Sequence, residues 1–289
     1  MSRYSWGADE HLFVELAEDM SLQANFRAMA IATVLRERRP DGLLDICPAN
    51  ASYQVRFDPD VLAPSELEAL LRSIDEEVGD AHGFELETRV VEVPVLYDDP
   101  WTHETLMRFR DRHQEPSSTD LEYAARINGF SGKDEFIAAH AGAPWFASMV
   151  GFVAGLPFLY QMVPRERQLE VPKYVRPRTD TPALTVGHGG CFGCIYSVRG
   201  AGGYQMFGIT PVPIYDPGQR LPDFQDFVCF FKAGDIVRFT PIDRARYDEL
   251  RGQAEAGTVS LRSAPVSFSL VDFEADPEGY NASLLEVLG

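Results

Sequence analysis

The texture of the chain changes at Asp98, and this change limits the possible folds more than any other feature. Before it, strand-like and helix-like periods alternate. After a helical stretch, the chain becomes dense in glycine and proline with short β-rich pieces: MVGFVAGLPFLYQMVP, ALTVGHGGCFGCIYSV, GGYQMFGITPVPIYD and AGDIVRFTPI. Many short strands separated by turn signals predict a β-barrel or sandwich. At 289 residues the chain can hold two domains, each with its own core. The expected division is residues 1–97 and residues 98–289.

In the first part, HLFVEL reads as a strand and ANFRAMAIATVLRERR as a helix, which ends in arginines before Pro40-Asp41-Gly42. GLLDICP and SYQVRFD are strands either side of a short turn. Ser65 and Glu68 form a potential capping box for a second helix. TRVVEVPVLY, residues 88–97, is the expected closing strand. The order β-α-β-β-α-β is the ferredoxin-like arrangement, which names no function by itself. Helices are expected over 101–113, 120–129 and 131–142, a late one in YDELRGQAEAG and a terminal one in NASLLEVL. The overall expectation is an α+β protein, a ferredoxin-like domain followed by a β-barrel.

Composition narrows the partners. The net charge of -18 and the absence of a basic run disfavour nucleic acid and anionic membrane surfaces. No stretch approaches the ~18 apolar residues that span a bilayer, and no secretory signal is visible. Four cysteines in a chain this long do not form a disulfide framework. A reducing, cytoplasmic setting is expected.

GHGGCFGCIY, residues 187–196, raises three readings. His188, Cys191 and Cys194 have H-x2-C-x2-C spacing, which suits zinc, but no second ligand pair accompanies them. A redox pair would open a helix, whereas glycines and Ile195 flank this one. A phosphate loop would need GxxxxGK[ST] or a strand-GxGxxG-helix context. The expectation is therefore no metal, with the cysteines as small packing residues in a glycine-hinged pocket loop. Nearby, RPRTDTP sets Arg176 and Arg178 beside prolines, where they can grip a carboxylate, carbonate or phosphate. The alternative is a solvated turn with surface ion pairs.

The segments MVGFVAGLPFL, RPRTDTPALTVG, CIYSVRGAGGYQMFGITP and AGDIVRFTPI, in that order, resemble a family that includes allophanate hydrolase subunit 1, the B component of 5-oxoprolinase and the Kip-type inhibitor of a sporulation kinase. This is the carboxyltransferase domain of subdomains C and D. ICPANASYQVRFDP resembles the same family's strand-turn-strand. The resemblance runs from about Leu12 to about Ile242, with an enlarged helical insertion near 99–119. It implies a ferredoxin-like domain followed by a cyclophilin-like β-barrel. It also implies a partner, a homologous second barrel subunit of the type found in allophanate hydrolase subunit 2 or the C component of 5-oxoprolinase. The implied activity is ATP-dependent hydrolysis or carboxylation at an amide, lactam, urea or ketone carbonyl. No nucleotide site or biotin-attachment sequence is present, so this chain is expected to bind no cofactor, with ATP and any biotin on partner subunits.

Departures from the family fall in the glycine-rich part. Phe192 stands where the family tends to have glutamine, and Ile209 where it tends to have arginine. Apolar replacements favour a more apolar substrate, or a subunit that no longer binds one. The expected pocket is lined by Phe152, Arg178, His188, Phe192, Tyr196 and Gln205, with Arg176 nearby. His188 is the candidate general acid or base and Arg178 the group that neutralises developing charge. The alternatives are a hydrogen-bonded loop histidine and a structural ion pair of Arg178 with Asp180 or another acid. Asp235 is expected to shape a turn. A second functional class, a non-catalytic regulator such as a Kip-type inhibitor of a histidine kinase, stands beside the enzyme subunit.

Overall fold

The computed structural model describes residues 2–81 and 83–289. It divides into two compact units, one running to Leu86 and including Phe268–Ala275, the other formed by Glu87–Ser267 and Asp276–Gly289.

The first unit contains β1 (Arg3–Gly7), β2 (His11–Glu15), α1 (Leu22–Arg38), β3 (Leu43–Ala49), β4 (Ser52–Phe57) and α2 (Pro64–Val78). Its antiparallel sheet has the order β1-β2-β4-β3. Alternation on β2 and β4 buries Leu12, Val14, Tyr53, Val55 and Phe57 against Ile31 and Leu35 of α1 and Leu67, Leu71 and Ile74 of α2. The Ser21 hydroxyl caps α1, accepting from the Ala24 N–H at 3.1 Å. For α2 the expected Ser65–Glu68 capping box does not form. Pro64 supplies the fixed φ of a first helical residue, so the helix starts earlier, behind Ala63.

The expected closing strand also lies elsewhere. β1 occupies the position beside β2, while β5 (Glu85–Tyr97) joins the large sheet of the second unit. The reason is legible in β5 itself. Val90, Val91, Val93 and Val95 are all fully buried, including adjacent residues that point to opposite faces, which suits a strand covered on both sides.

After β5 the second unit continues with helices α3 (Pro100–Phe109), α4 (Asp120–Ile127) and α5 (Lys133–Ala141). The strands follow as β6 (Trp145–Val150), β7 (Pro157–Gln161), β8 (Arg178–Thr181), β9 (Thr185–Gly189), β10 (Phe192–Ile195), β11 (Gly200–Gly202), β12 (Gln205–Ile209) and β13 (Ile236–Pro241), then α6 (Arg244–Glu255) and β14 (Ser263–Ser269). A terminal helix spans Pro277–Glu286. The sheet order is β12-β9-β10-β7-β6-β13-β5-β14, and β12 also pairs with β5, which closes the strands from β12 to β5 into a ring. Gly208 permits this closure, since a Cβ there would lie 2.9 Å from the Tyr97 Cα. Trp145, Leu159, Val186, Ile195, Phe207, Val237 and Phe239 belong to the core of this unit. Asp235, expected to shape a turn, accepts from the Lys232 N–H at 3.1 Å and also pairs with Arg89 through both carboxylate oxygens, at 3.0 and 2.9 Å. β8 and β11 form a separate two-stranded ribbon.

Candidate functional site: an aromatic cavity beside a buried arginine

GHGGCFGCIY folds as a hairpin, β9 and β10 joined at Gly190-Cys191. Its glycines act less as hinges than as clearances for rings. A Cβ on Gly187 would lie 3.3 Å from the Tyr196 ring, one on Gly202 2.6 Å from its Cε1, and one on Gly189 2.6 Å from Cε1 of Tyr204. Tyr196 and Tyr204 thus settle against a bare stretch of sheet. With Phe152, Leu156, Phe158 and Tyr174 they line a cavity of about 450 Å³, completed by Lys173, Pro177, Cys194 and residues 201–203.

Strand alternation decides which side of the wall this cavity occupies. Leu159, Val186 and Ile195 point into the core, so their neighbours Phe158, Gly187 and Cys194 point the other way, toward the cavity. The cavity therefore lies on the outer face of β7, β9 and β10, while their inner face is filled by packed side chains.

His188 lies between the two cavity-facing glycines of β9 and so faces the core. It is fully buried, 5.6 Å from the Trp145 ring and 6.1 Å from that of Phe207. Its Nε2 donates to the Leu169 and Gly190 carbonyls at 3.0 and 3.1 Å, and burial pushes its pKa down to about 4. The expected acid–base histidine thus has no face on the cavity; it is the hydrogen-bonded alternative. Gln205 pairs with His188 across β12 and β9 and is also fully buried. Its Nε2 donates to Pro172 O at 2.9 Å and Gln114 Oε1 at 3.1 Å. Phe192 is one layer removed, its ring edge-on to Phe158 at 6.0 Å. Arg176 is exposed and paired with Asp111 at 3.2 Å, away from the cavity. Of the expected lining residues, the structure brings Phe152 and Tyr196 together.

Arg178 stands immediately behind the cavity wall. Its guanidinium is fully buried, 4.4 Å above the Tyr174 ring, and its Nε donates to Thr181 Oγ1 at 3.3 Å. Among the described residues Nη1 and Nη2 meet no acceptor in good hydrogen-bond geometry, the phenol oxygens of Tyr174 and Tyr196 being the groups the guanidinium approaches. Its charge acts on three lining residues, favouring the ionised forms of Tyr174, Cys194 and Tyr196, although burial pushes all three up. The expected alternative pairing with Asp180 does not occur, because Asp180 is held by Arg199 at 2.6 Å and Arg108 at 3.0 Å, which keep it down at about 2. Behind Tyr174, Asp120 accepts the phenol O–H at 2.7 Å and the Met206 N–H at 2.6 Å.

Sequence reasoning missed Tyr174, Tyr204, Phe158 and Lys173. The available signal was juxtaposition of aromatic residues with the glycine and proline runs: Lys173-Tyr174 precedes the two arginines, and Tyr204 follows Gly202-Gly203.

A strand ring whose outer wall carries an aromatic cavity is the class of protein that these features define. Residues 2–224 match the family described as carboxyltransferase domain, subdomain C and D, and the chain belongs to that family. It is 28% identical over 248 residues to the B component of 5-oxoprolinase from Bacillus subtilis (strain 168), covering 83% of this chain and 92% of that protein. It is 22% identical to the urea amidolyase of Saccharomyces cerevisiae over 89% of this chain, which spans only 14% of that much longer enzyme. The crystal structure of the K. lactis urea amidolyase superposes on 99% of this chain and 17% of its own length, with a TM-score of 0.84 at 20% identity, a likeness of fold.

Proposed function

We propose that this chain is one subunit of an ATP-dependent, multi-subunit enzyme that acts on an amide, lactam, urea or ketone carbonyl, by hydrolysis or carboxylation. In this reading the four-stranded unit is ferredoxin-like and the ring of strands cyclophilin-like. The cavity beside Arg178 holds the substrate, and a homologous second barrel subunit completes the site. ATP, and biotin if one is used, reside on partners in the cytoplasm. Membership of the carboxyltransferase family supports the reaction class. The single observation that carries the reading is the cavity itself, an aromatic recess backed by the buried guanidinium of Arg178. Such a charge in a low-dielectric wall stabilises an oxyanion far better than an exposed one.

Among the expected residues, Arg178 and Tyr196 keep a place in this proposal, and Phe152 forms the rim. His188, Gln205, Phe192 and Arg176 are left out of contact with the ligand.

The test is co-expression with the homologous barrel subunit encoded nearest its gene and with any ATP-using neighbour, followed by ATP hydrolysis with lactam, urea and ketone panels. A stable complex with substrate-stimulated ATP hydrolysis that Arg178→Met abolishes is the expected result. Isolation instead with a histidine kinase, whose autophosphorylation the chain suppresses, would replace this reading by the regulatory one. The apolar Phe192 and Ile209 favour that second reading.

A further inference from the structure

We propose that the cavity takes an apolar-bodied monocarboxylate that also carries the reacting carbonyl, with an aromatic or branched aliphatic body among the tyrosine and phenylalanine rings and its carboxylate toward Tyr196 and Arg178. This rests on the cavity being the substrate site, and it specifies a ligand chemistry for that site.

Three observations carry it. First, the lining offers rings and aliphatic carbons, with no Asp, Glu, Asn or Gln side chain among the lining residues. Gln205, expected to line the pocket, is turned inward, its Nε2 donating to Pro172 O and Gln114 Oε1. A urea-like molecule, polar on every edge, would leave its N–H groups unmatched there.

Second, in a chain of net charge -18 the two cations at this cavity are Lys173 at its edge and Arg178 behind it. Lys173 lies 5.2 Å from the centre of the Tyr204 ring. Asp120, whose carboxyl interacts with the guanidinium, spends its oxygens on Tyr174 and Met206. Among the described residues Nη1 and Nη2 of Arg178 meet no carboxylate in hydrogen-bond geometry, and a guanidinium buried behind Tyr174 and Tyr196 attracts an anion seated on the cavity side of those rings.

Third, the Tyr196 hydroxyl accepts the Tyr204 N–H at 3.4 Å, which leaves its own proton free to donate. A ligand carboxylate can therefore receive the Tyr196 O–H with the guanidinium charge directly behind it. The volume of about 450 Å³ is sufficient for a single substituted ring.

The experiment is calorimetric and ligand-observed NMR titration of the full chain with phenylacetate, phenylacetamide, acetate, urea and 5-oxoproline. Phenylacetate should bind at least tenfold more tightly than each of the others. Arg178→Met should weaken it tenfold or more and Tyr196→Phe several-fold, with Arg176→Met unchanged. Should Arg178→Met fail to fold, Arg178→Lys replaces it: the charge stays but the shorter ammonium no longer reaches the Tyr196 hydroxyl, and several-fold weaker binding is expected. Equal binding of phenylacetamide, or phenylacetate binding indifferent to Arg178, overturns the carboxylate. Preference for urea or 5-oxoproline overturns the apolar body. Absence of binding by every probe overturns the whole inference. In each of these cases, substrate-stimulated ATP hydrolysis by the assembled complex would leave the enzyme reading standing, so the two failures are distinguishable.

Discussion

Tyr196 fills the space that a side chain at position 202 would need: a Cβ built on Gly202 falls 2.6 Å from its Cε1 and 2.7 Å from its Cζ. The ring is nearly buried, so it cannot swing away without opening the cavity wall. Gly200, two residues earlier on β11, has open space at the same point. Gly202→Ala should therefore destabilise the protein by about 1–3 kcal/mol and diminish the cavity, whereas Gly200→Ala should stay within about 0.5 kcal/mol of the parent. Urea unfolding of the two variants checks this. Equal stabilities would show that Tyr196 adapts freely.

Ring closure depends on a second glycine that meets backbone rather than a side chain. A Cβ on Gly208 would lie 2.5 Å from Leu96 O and 2.9 Å from Tyr97 Cα, across the β12–β5 pairing. Neither atom can move without parting the strands. Gly208→Ala should cost about 3 kcal/mol, at the upper end for overpacking. Amide hydrogen exchange should show lost protection at Leu96, Tyr97, Gly208 and Ile209. Retained protection there would show that the closing pair tolerates the extra carbon.

These glycines also show how far the sequence could be read. Alternation in HLFVEL and SYQVRFD and the helical period after Ser21 reveal the first unit, because each element buries one face locally. β1 escaped notice because it is an exposed strand beside β2, its residues mostly facing solvent, with no apolar stripe to betray it. β5 was legible as a strand, but the sheet it joins is decided by distant partners. For the cavity, the residue types pointed to the β9–β10 hairpin and to Arg178 behind its wall, while the period of two in GHGG sets which side chains face it. If Gly187 and Gly189 make room for rings on one face, His188 must face the other. Tyr174 and Phe158 come to the cavity through tertiary packing, which no local pattern announces.

Phe152 holds a left-handed backbone, φ 69°, and the residue is 73% exposed at the cavity mouth. A bulky residue there carries a cost of roughly 1 kcal/mol that its scant packing does not offset. Phe152→Asn should raise stability by about 0.5–1 kcal/mol, since asparagine tolerates this conformation without the extra unfolded-state freedom of glycine. A rise in Tm accompanied by weaker binding of aromatic ligands is the expected pair of outcomes. Lower stability would mean that the Phe152 ring packs more usefully than its exposure suggests.

His188 makes the fold sensitive to mild acid. Buried neutral beside Trp145 and Phe207, it titrates at about 4 in the folded chain, against about 6.5 when unfolded. Between those values the unfolded state binds the extra proton, so stability is fully present above pH 6.5 and falls as the pH drops toward 4. The loss is on the order of 3 kcal/mol from this one group. His140, also buried and pushed down by burial and by His188, acts in the same direction. Carboxylates titrate in the lower part of this window too, so the informative quantity is the difference between the parent and His188→Gln. Glutamine can keep a donor toward Leu169 O and Gly190 O while removing the titration. Urea unfolding at intervals from pH 7.5 to 4.5 should show a shallower decline in the variant, with the curves converging as the pH falls. Parallel curves would mean that His188 meets solvent or gains a proton partner in the folded state, which would return it to the list of acid–base candidates.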